Sequence, residues 1–457
     1  MLKSQAMQSS DTSPMPPHVA RRNPLRTALI WLLELNRPAP QRTEDELVAE
    51  VERNYNWNFA VNLLDGTLFM FGASFISATT ILPLFLSKLT TDPLAFGILA
   101  VTAQAGWFLP QLFTANLMER LARKKPVVVN LGLFLERLPI WFMVVAAIVA
   151  VTVPKLAIVL LLGSYAWHAL GAGAVAVSWQ DLIARCFPLN RRGRFFGFTS
   201  FVGAGAGALG ALLSTWLLNR YAFPVNFTYL FTIAAVGISV SWLFLALTRE
   251  PVQATTTSRR SNLEYLGSLP DLLRRDENYR RYLTTRMLMA LGAMGSGFVT
   301  VAAVSRWQIP DKDAGLFTLA LLVGQTAGTL ACGFLADRFG HKICLELGAL
   351  AGLVGFTMAW LAPAPSWYYA VFALLGILSG AILVSGILIV MEFSGPERRP
   401  TYVGIANTAV GVVGVAAPLL GTALTRVGYG LLFAASAICY LAALILFQWW
   451  VREPRQA

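Results

Sequence analysis

Long apolar runs alternate along the chain with short charged or Pro/Gly-rich breaks, and the length of the runs decides the class of element. A helix that crosses a bilayer needs about 20 apolar residues. Runs of this order predict helices over 57–86, 93–120, 127–151, 156–184, 195–219 and 226–247. After a hydrophilic stretch over 249–281, six more are predicted over 282–304, 314–336, 343–362, 367–391, 402–424 and 431–450. The expected fold class is an all-α membrane protein, with twelve transmembrane helices in two pseudo-symmetric six-helix bundles. Its expected divisions are an N-terminal tail over 1–56, a first bundle over 57–248, a linker over 249–281, a second bundle over 282–451 and a C-terminal tail over 452–457.

The tail is polar and Pro-rich, with one apolar patch over 28–33 that is followed by acidic residues and lacks a small-residue cleavage site, so no secretory signal is expected. It reads as cytosolic; short amphipathic helices on the membrane surface, using the patch and Leu47, Val48 and Val51, are the alternative. Composition agrees with the spans: 56% of the 457 residues are hydrophobic and 13% charged, against about 25% charged in soluble domains. Disorder, collagen and secreted disulfide scaffolds are excluded. A net charge of +12 would suggest nucleic acid as partner of a soluble chain. Here the basic residues gather in alternate loops, among them Arg123, Lys124, Lys125, Arg191, Arg192, Arg194, Arg259 and Arg260. That bias predicts a multi-pass protein of the cell membrane with both termini cytoplasmic, and assigns the charge to topology and anionic lipid, with no nucleic-acid partner. Four cysteines without Cys-x-x-Cys spacing and three scattered histidines suggest neither metal nor cofactor.

The two halves repeat landmarks. Arg249-Glu250-Pro251 closes the first set of six and Arg452-Glu453-Pro454 the second, and Arg191 precedes Gly197 by the same interval as Arg398 precedes Gly404. Parallel repeats of this kind mark transporters. After the eighth helix the chain reads Gly333-Phe334-Leu335-Ala336-Asp337-Arg338-Phe339-Gly340-His341-Lys342, which resembles the G-x-x-x-D-R-x-G-R-K/R signature of the major facilitator superfamily. Gly333 and Gly340 permit close approach and a tight reversal, Asp337 can accept from an exposed helix N-terminus, and Arg338 and Lys342 supply counter-charge. The first-half copy is degenerate: Ala115 and Ala122 replace the glycines and Glu119, followed by Arg120, replaces the aspartate. The resemblance extends over both halves and includes Ile81-Leu82-Pro83. It implies a carrier whose first, fourth, seventh and tenth helices line a central path. Trp167 stands where many drug/proton antiporters of the superfamily carry an Arg before a Gly-x-Gly pair, here Gly171 and Gly173.

Charges at membrane depth are the candidate functional residues, because each must face water or a partner rather than lipid. Asn54, Asn58, Asn62 and Asp65 share one face of the first helix. Asp65 is a candidate proton or substrate site, with a capping or interhelical bond as the bland alternative. Arg286, one turn into the seventh helix, is expected to pair with Asp65 across the halves when the carrier faces outward and to part from it when the carrier opens inward. His168 has a side chain whose ordinary titration range suits proton uptake, or else is a neutral bond to a neighbouring helix. Glu136 and Arg137 read as a structural network, and Asp181 as an anchor for the Arg191-Arg192 loop. Gly205-x-Gly207-x-x-Gly210 mimics a dinucleotide fingerprint, but no strand precedes it, so it reads as a helix-packing face.

No G-x-x-x-x-G-K-[ST] loop occurs, so a gradient must supply the energy. The chain is expected to be a monomeric, proton-coupled secondary transporter of a small organic, amphipathic solute and not an enzyme, since the loops are short and hold no Ser/His/Asp set. Export of a hydrophobic or cationic compound is the first expectation and uptake the alternative. A polytopic membrane enzyme and a receptor are the rivals from other classes.

Overall fold

The computed structural model describes residues 30–35, 37, 40, 42–119, 121–252, 273–393 and 399–454. Among these residues, twelve long helices form two bundles of six: α1 (Glu44–Ser74), α2 (Pro93–Glu119), α3 (Val127–Ile148), α4 (Pro154–Cys186), α5 (Leu189–Arg220) and α6 (Val225–Ala246), then α7 (Glu277–Trp307), α8 (Lys312–Phe339), α9 (His341–Leu361), α10 (Trp367–Glu392), α11 (Arg399–Thr425) and α12 (Tyr429–Trp449). Eleven of them contain a stretch long and apolar enough to cross a membrane among the described residues. The twelfth, α1, does not, because its middle carries Asn54, Asn58, Asn62 and Asp65.

α1 differs from its expected 57–86 at both ends. It starts at Glu44 because Thr43 forms a capping box with Glu46, and Glu44, Asp45 and Glu46 suit the positive end of the helix dipole. Residues 44–56, expected in the tail, are therefore helix. It stops at Ser74, and a short helix, Ile81–Ser87, follows. Pro83 lies in the first turn of that helix, where a missing N–H is tolerated, and it offers no donor to the carbonyl of Thr79, four residues back. That carbonyl instead accepts from the Thr300 hydroxyl in the second bundle. The apolar patch of the tail is not free either, since Leu33 packs against the buried cluster of Val127 and Val175. The Asn130 side-chain amide donates to the carbonyl of Leu32 at 2.8 Å.

α1 and α7 run in the same direction, and their starts, with the ends of α6 and α12, define one face, here called the terminal side. The repeat is reproduced there in the clasp that closes each bundle. The Asn58 side chain clasps the backbone of Arg249, accepting from its N–H at 2.9 Å and donating to its carbonyl at 3.0 Å. Asn278 clasps Arg452 in the same way at 2.9 and 3.1 Å. The next residue in each motif caps a helix: Glu250 accepts from the N–H groups of Lys124 and Lys125 at 2.7 and 3.0 Å, and Glu453 from that of Lys342 at 3.0 Å. Asn58 is fully buried, so Asn58→Ala should leave two main-chain groups unpaired and cost about 1–3 kcal/mol. Thermal unfolding in detergent should show a larger fall for Asn58→Ala than for Asn278→Ala, whose side chain is half-exposed.

Gly340 turns the chain between α8 and α9 at φ 90°, ψ 171°, a region reserved almost entirely for glycine. A Cβ there would collide with the carboxylate carbon of Glu453. Gly340→Ala should therefore cost at least about 1–3 kcal/mol in backbone strain alone. Ala122, its first-half counterpart, is not among the positive-φ residues, and Ala122→Gly should stay within about 0.5 kcal/mol of wild type. The same unfolding measurement checks both.

The bundles meet on the side away from the termini. Thr318 donates to the carbonyl of Ala314 at 2.9 Å and its hydroxyl oxygen lies 2.6 Å from that of Thr80, while Lys88 pairs with Asp311 at 2.5 Å. Glycines allow the helices to touch: a Cβ on Gly297 would reach Ala100 at 2.7 Å, and one on Gly315 would collide with the side chain of Thr215. Gly207 and Gly210 of the dinucleotide-like stretch face Leu322 of α8 and Ser74 of α1, so they serve packing.

Candidate functional site

A cavity of about 250 Å³ opens in the first bundle among α1, α3, α4 and α5, with Trp107 of α2 at its edge. Its wall is mostly apolar, built from Phe69, Met70, Trp107, Trp179, Phe195 and Phe196. Three ionisable side chains interrupt it: Asp65, Glu136 and Arg137. Concave, largely apolar sites with a few convergent polar groups are the usual form of small-molecule sites.

The polar face of α1 divides by depth. Near the terminal side, Asn54 accepts from the Arg249 guanidinium at 3.2 Å and Asn58 holds the Arg249 backbone, so both belong to the scaffold. Asn62 and Asp65 reach the cavity. Asn62 donates to the carbonyl of Asn58 at 2.8 Å and accepts from Thr248 at 3.3 Å. Asp65 accepts from the Ser241 hydroxyl at 2.6 Å through one carboxylate oxygen, Oδ1.

Glu136 and Arg137 come from a feature that no periodicity announces. α3 begins as two π-helical stretches, Val127–Leu131 and Leu133–Arg137, and such local unwinding is frequent at functional sites. Neighbours in sequence, they pair with one another and both line the cavity. The Arg137 guanidinium also lies 6.0 Å from the Phe69 ring centre. The expected structural network thus faces the cavity itself. His168 supports it from behind: its Nδ1 is 2.7 Å from the Glu136 carbonyl. A carbonyl can only accept, so Nδ1 carries the proton. His168 is absent from the cavity wall and takes the form of the interhelical bond rather than an exposed proton site.

Arg286 is elsewhere. It is buried against α10, with Nη2 3.7 Å from where a Cβ of Gly386 would stand. It does not line the cavity, and among the described residues no ion pair joins it to Asp65. The two are apart in a conformation closed on the side away from the termini. Sequence reasoning missed Ser241 and Thr199, neither of which has a charge to mark it. Thr199 lies on the wall with its buried hydroxyl lacking a hydrogen-bond partner.

On the terminal side, Asp181 pairs with Lys124 at 3.1 Å and Arg185 at 3.0 Å, and Arg185 reaches Glu250 at 3.7 Å. Asp181 does not anchor the following loop: Arg191 pairs with Glu52 at 3.2 Å, and Arg192 donates to the carbonyls of Ala184 and Phe187. Burial pushes the Glu250 carboxyl above the usual range, with the amides of Lys124 and Lys125 opposing. Burial also lowers the Lys125 ammonium, with Glu250 opposing. In the second-half signature, Lys342 lies 3.5 Å from Glu346 and Arg338 stacks on Phe339 with 5.3 Å to the ring centre. Gly333 has open space around it. Arg120 and the side chains of Glu119 and Asp337 lie outside the described residues.

Residues 287–457 match the Major Facilitator Superfamily. Human solute carrier family 22 member 2 is 30% identical over 114 residues, covering 24% of this chain and 20% of that protein. Human solute carrier family 22 member 7 is 33% identical over 161 residues, 34% of this chain and 28% of its own. An uncharacterized MFS-type transporter of Mycobacterium tuberculosis is 28% identical over 200 residues, 43% of this chain and 26% of its own. The aligned stretches thus span only 20% to 28% of these curated relatives. Among solved structures, a D-xylose–proton symporter superposes with a TM-score of 0.64 at 16% identity, over 87% of this chain and 98% of that one. The nucleoside transporter NupG superposes with a TM-score of 0.59 at 15% identity, over 86% and 98%.

Proposed function

We propose that this chain, a member of the Major Facilitator Superfamily by its second bundle and with the fold of that superfamily's transporters, is a secondary carrier of a small organic, amphipathic solute that alternates access by rocking its two bundles. The observation that carries the proposal is the cavity: a mainly apolar wall interrupted by Asp65, Glu136 and Arg137, in a two-bundle protein whose bundles meet on the side away from the termini. Aromatic and methionine side chains suit the solute's apolar body.

Asp65 takes the proton in this reading. Its Oδ1 is held by Ser241 while the carboxylate still faces the cavity, and a neighbour able to trade places with a proton, Arg137, is on the same wall. The terminal side is cytoplasmic, the working unit is one chain, and export is the direction to test first. Among the similar proteins, one is a D-xylose–proton symporter and another a nucleoside transporter, which supports coupling by a gradient without choosing a solute.

Purified protein in liposomes provides the test. Counterflow of a labelled organic solute at equal pH, with accumulation when a pH gradient is imposed, is the expected result. Chemical conversion of the solute without translocation would replace the carrier by a membrane enzyme.

A further inference from the structure

The charges at membrane depth do not balance within each bundle. Asp65, Glu136 and Arg137 leave one negative charge on the first bundle's cavity wall if all are ionised. The second bundle holds Arg286, 7% exposed. No carboxylate stands within ion-pair distance of it among the described residues; the second bundle's ion pairs all lie on other residues.

The position is not inherited from the repeat. Asn58 and Asn278 are equivalent by their matching clasps, which places Arg286 opposite Gly66. Among the described residues, its surroundings bury the guanidinium without a carboxylate to neutralise it. Nη2 lies over Gly386, which has no side chain to cover it, and the Tyr282 hydroxyl beside it donates to the carbonyl of Gly386 at 3.3 Å. A planar fork of N–H donors, buried in a membrane protein without an anion, is matched to a carboxylate or phosphate in bidentate geometry.

We propose that Arg286 receives the anionic group of the transported solute. The proposal rests on the carrier reading and refines it. The solute is an organic anion, and the first bundle's Asp65 contributes by accepting a proton, so that solute, proton and the four buried charges sum to neutral in transit. A hydrophobic or cationic solute, the first expectation from sequence, would leave Arg286 unpaired.

The test reads binding rather than transport. Detergent-purified protein is unfolded thermally in the presence of acetate, benzoate, succinate or inorganic phosphate, each against chloride at the same ionic strength, and separately with added phosphatidylglycerol. At least one solute anion should raise the midpoint by several degrees. Arg286→Gln should need at least tenfold more of it for the same shift, and Arg286→Lys should be intermediate. A monodisperse gel-filtration peak shows that the variants fold. Absence of any anion-specific shift, or an equal shift in Arg286→Gln, overturns the proposal. So does a shift given by phosphatidylglycerol alone, which would make Arg286 a lipid headgroup site. Loss of anion binding in Arg286→Gln together with no counterflow in wild type would keep the anion site and remove the carrier reading. Counterflow of an uncharged solute untouched by Arg286→Gln would do the reverse.

Discussion

Asp65→Asn should abolish accumulation driven by a pH gradient while leaving counterflow at equal pH. The substitution preserves shape and a side-chain oxygen that can still accept from Ser241, which now lies 2.6 Å from Asp65 Oδ1. It removes the only group on the cavity face of α1 that can change charge. A carrier couples two ligands through the effect of one on the affinity for the other, ordinarily about 5–150-fold. That factor, measured as the ratio of apparent solute affinities at acid and alkaline pH, should fall to about one. The scaffold should be unaffected, because Asn54, Asn58 and Arg249 form their contacts without Asp65. Uphill accumulation by Asp65→Asn at the wild-type level would remove Asp65 from coupling.

Covalent closure of the far side should stop transport altogether. Thr80 and Thr318 face each other across the bundles with their hydroxyl oxygens 2.6 Å apart. Cysteines at both positions should therefore bring their sulfurs within bonding reach. Rocking of the bundles has to separate these residues. Oxidised Thr80→Cys/Thr318→Cys protein should show transport at background, recovered by reductant, with thiol labelling confirming the bond. Either single variant should transport normally. Native Cys186, Cys332 and Cys344 are buried and offer little competition. Undiminished counterflow in the cross-linked protein would mean that this side never opens.

Much of the architecture was legible because lipid enforces a simple rule on the chain. Eleven spans carry that rule openly, whereas α1 was read from an apolar run over 57–86 and its true start at Glu44 was hidden by the polar Asn54-to-Asp65 face. The paired Arg-Glu-Pro motifs were visible as text, but their task was not. Only the folded chain brings Glu250 to the amides of Lys124 and Lys125, and Glu453 to that of Lys342. Asp65 stood out because a carboxylate at depth demands a reason. Glu136 and Arg137 were expected to form a structural network and do pair with one another, but their place on the cavity wall was not foreseen. In a regular α-helix successive side chains point about 100° apart, and no propensity foretells the π-helical stretches that bring both to one wall. Thr199 and Ser241 gave no signal, for hydroxyls on apolar helices most often bond their own backbone, as Ser214 and Thr215 do.

The proline at position 83 reaches further than its own turn of helix. By withholding an N–H it leaves the carbonyl of Thr79 to the Thr300 hydroxyl on the opposing bundle. An acceptor made of main chain is indifferent to the identity of residue 79. Any replacement there keeps half of the clasp, whereas exchanging the proline itself, four residues downstream, offers that oxygen a second, competing main-chain donor.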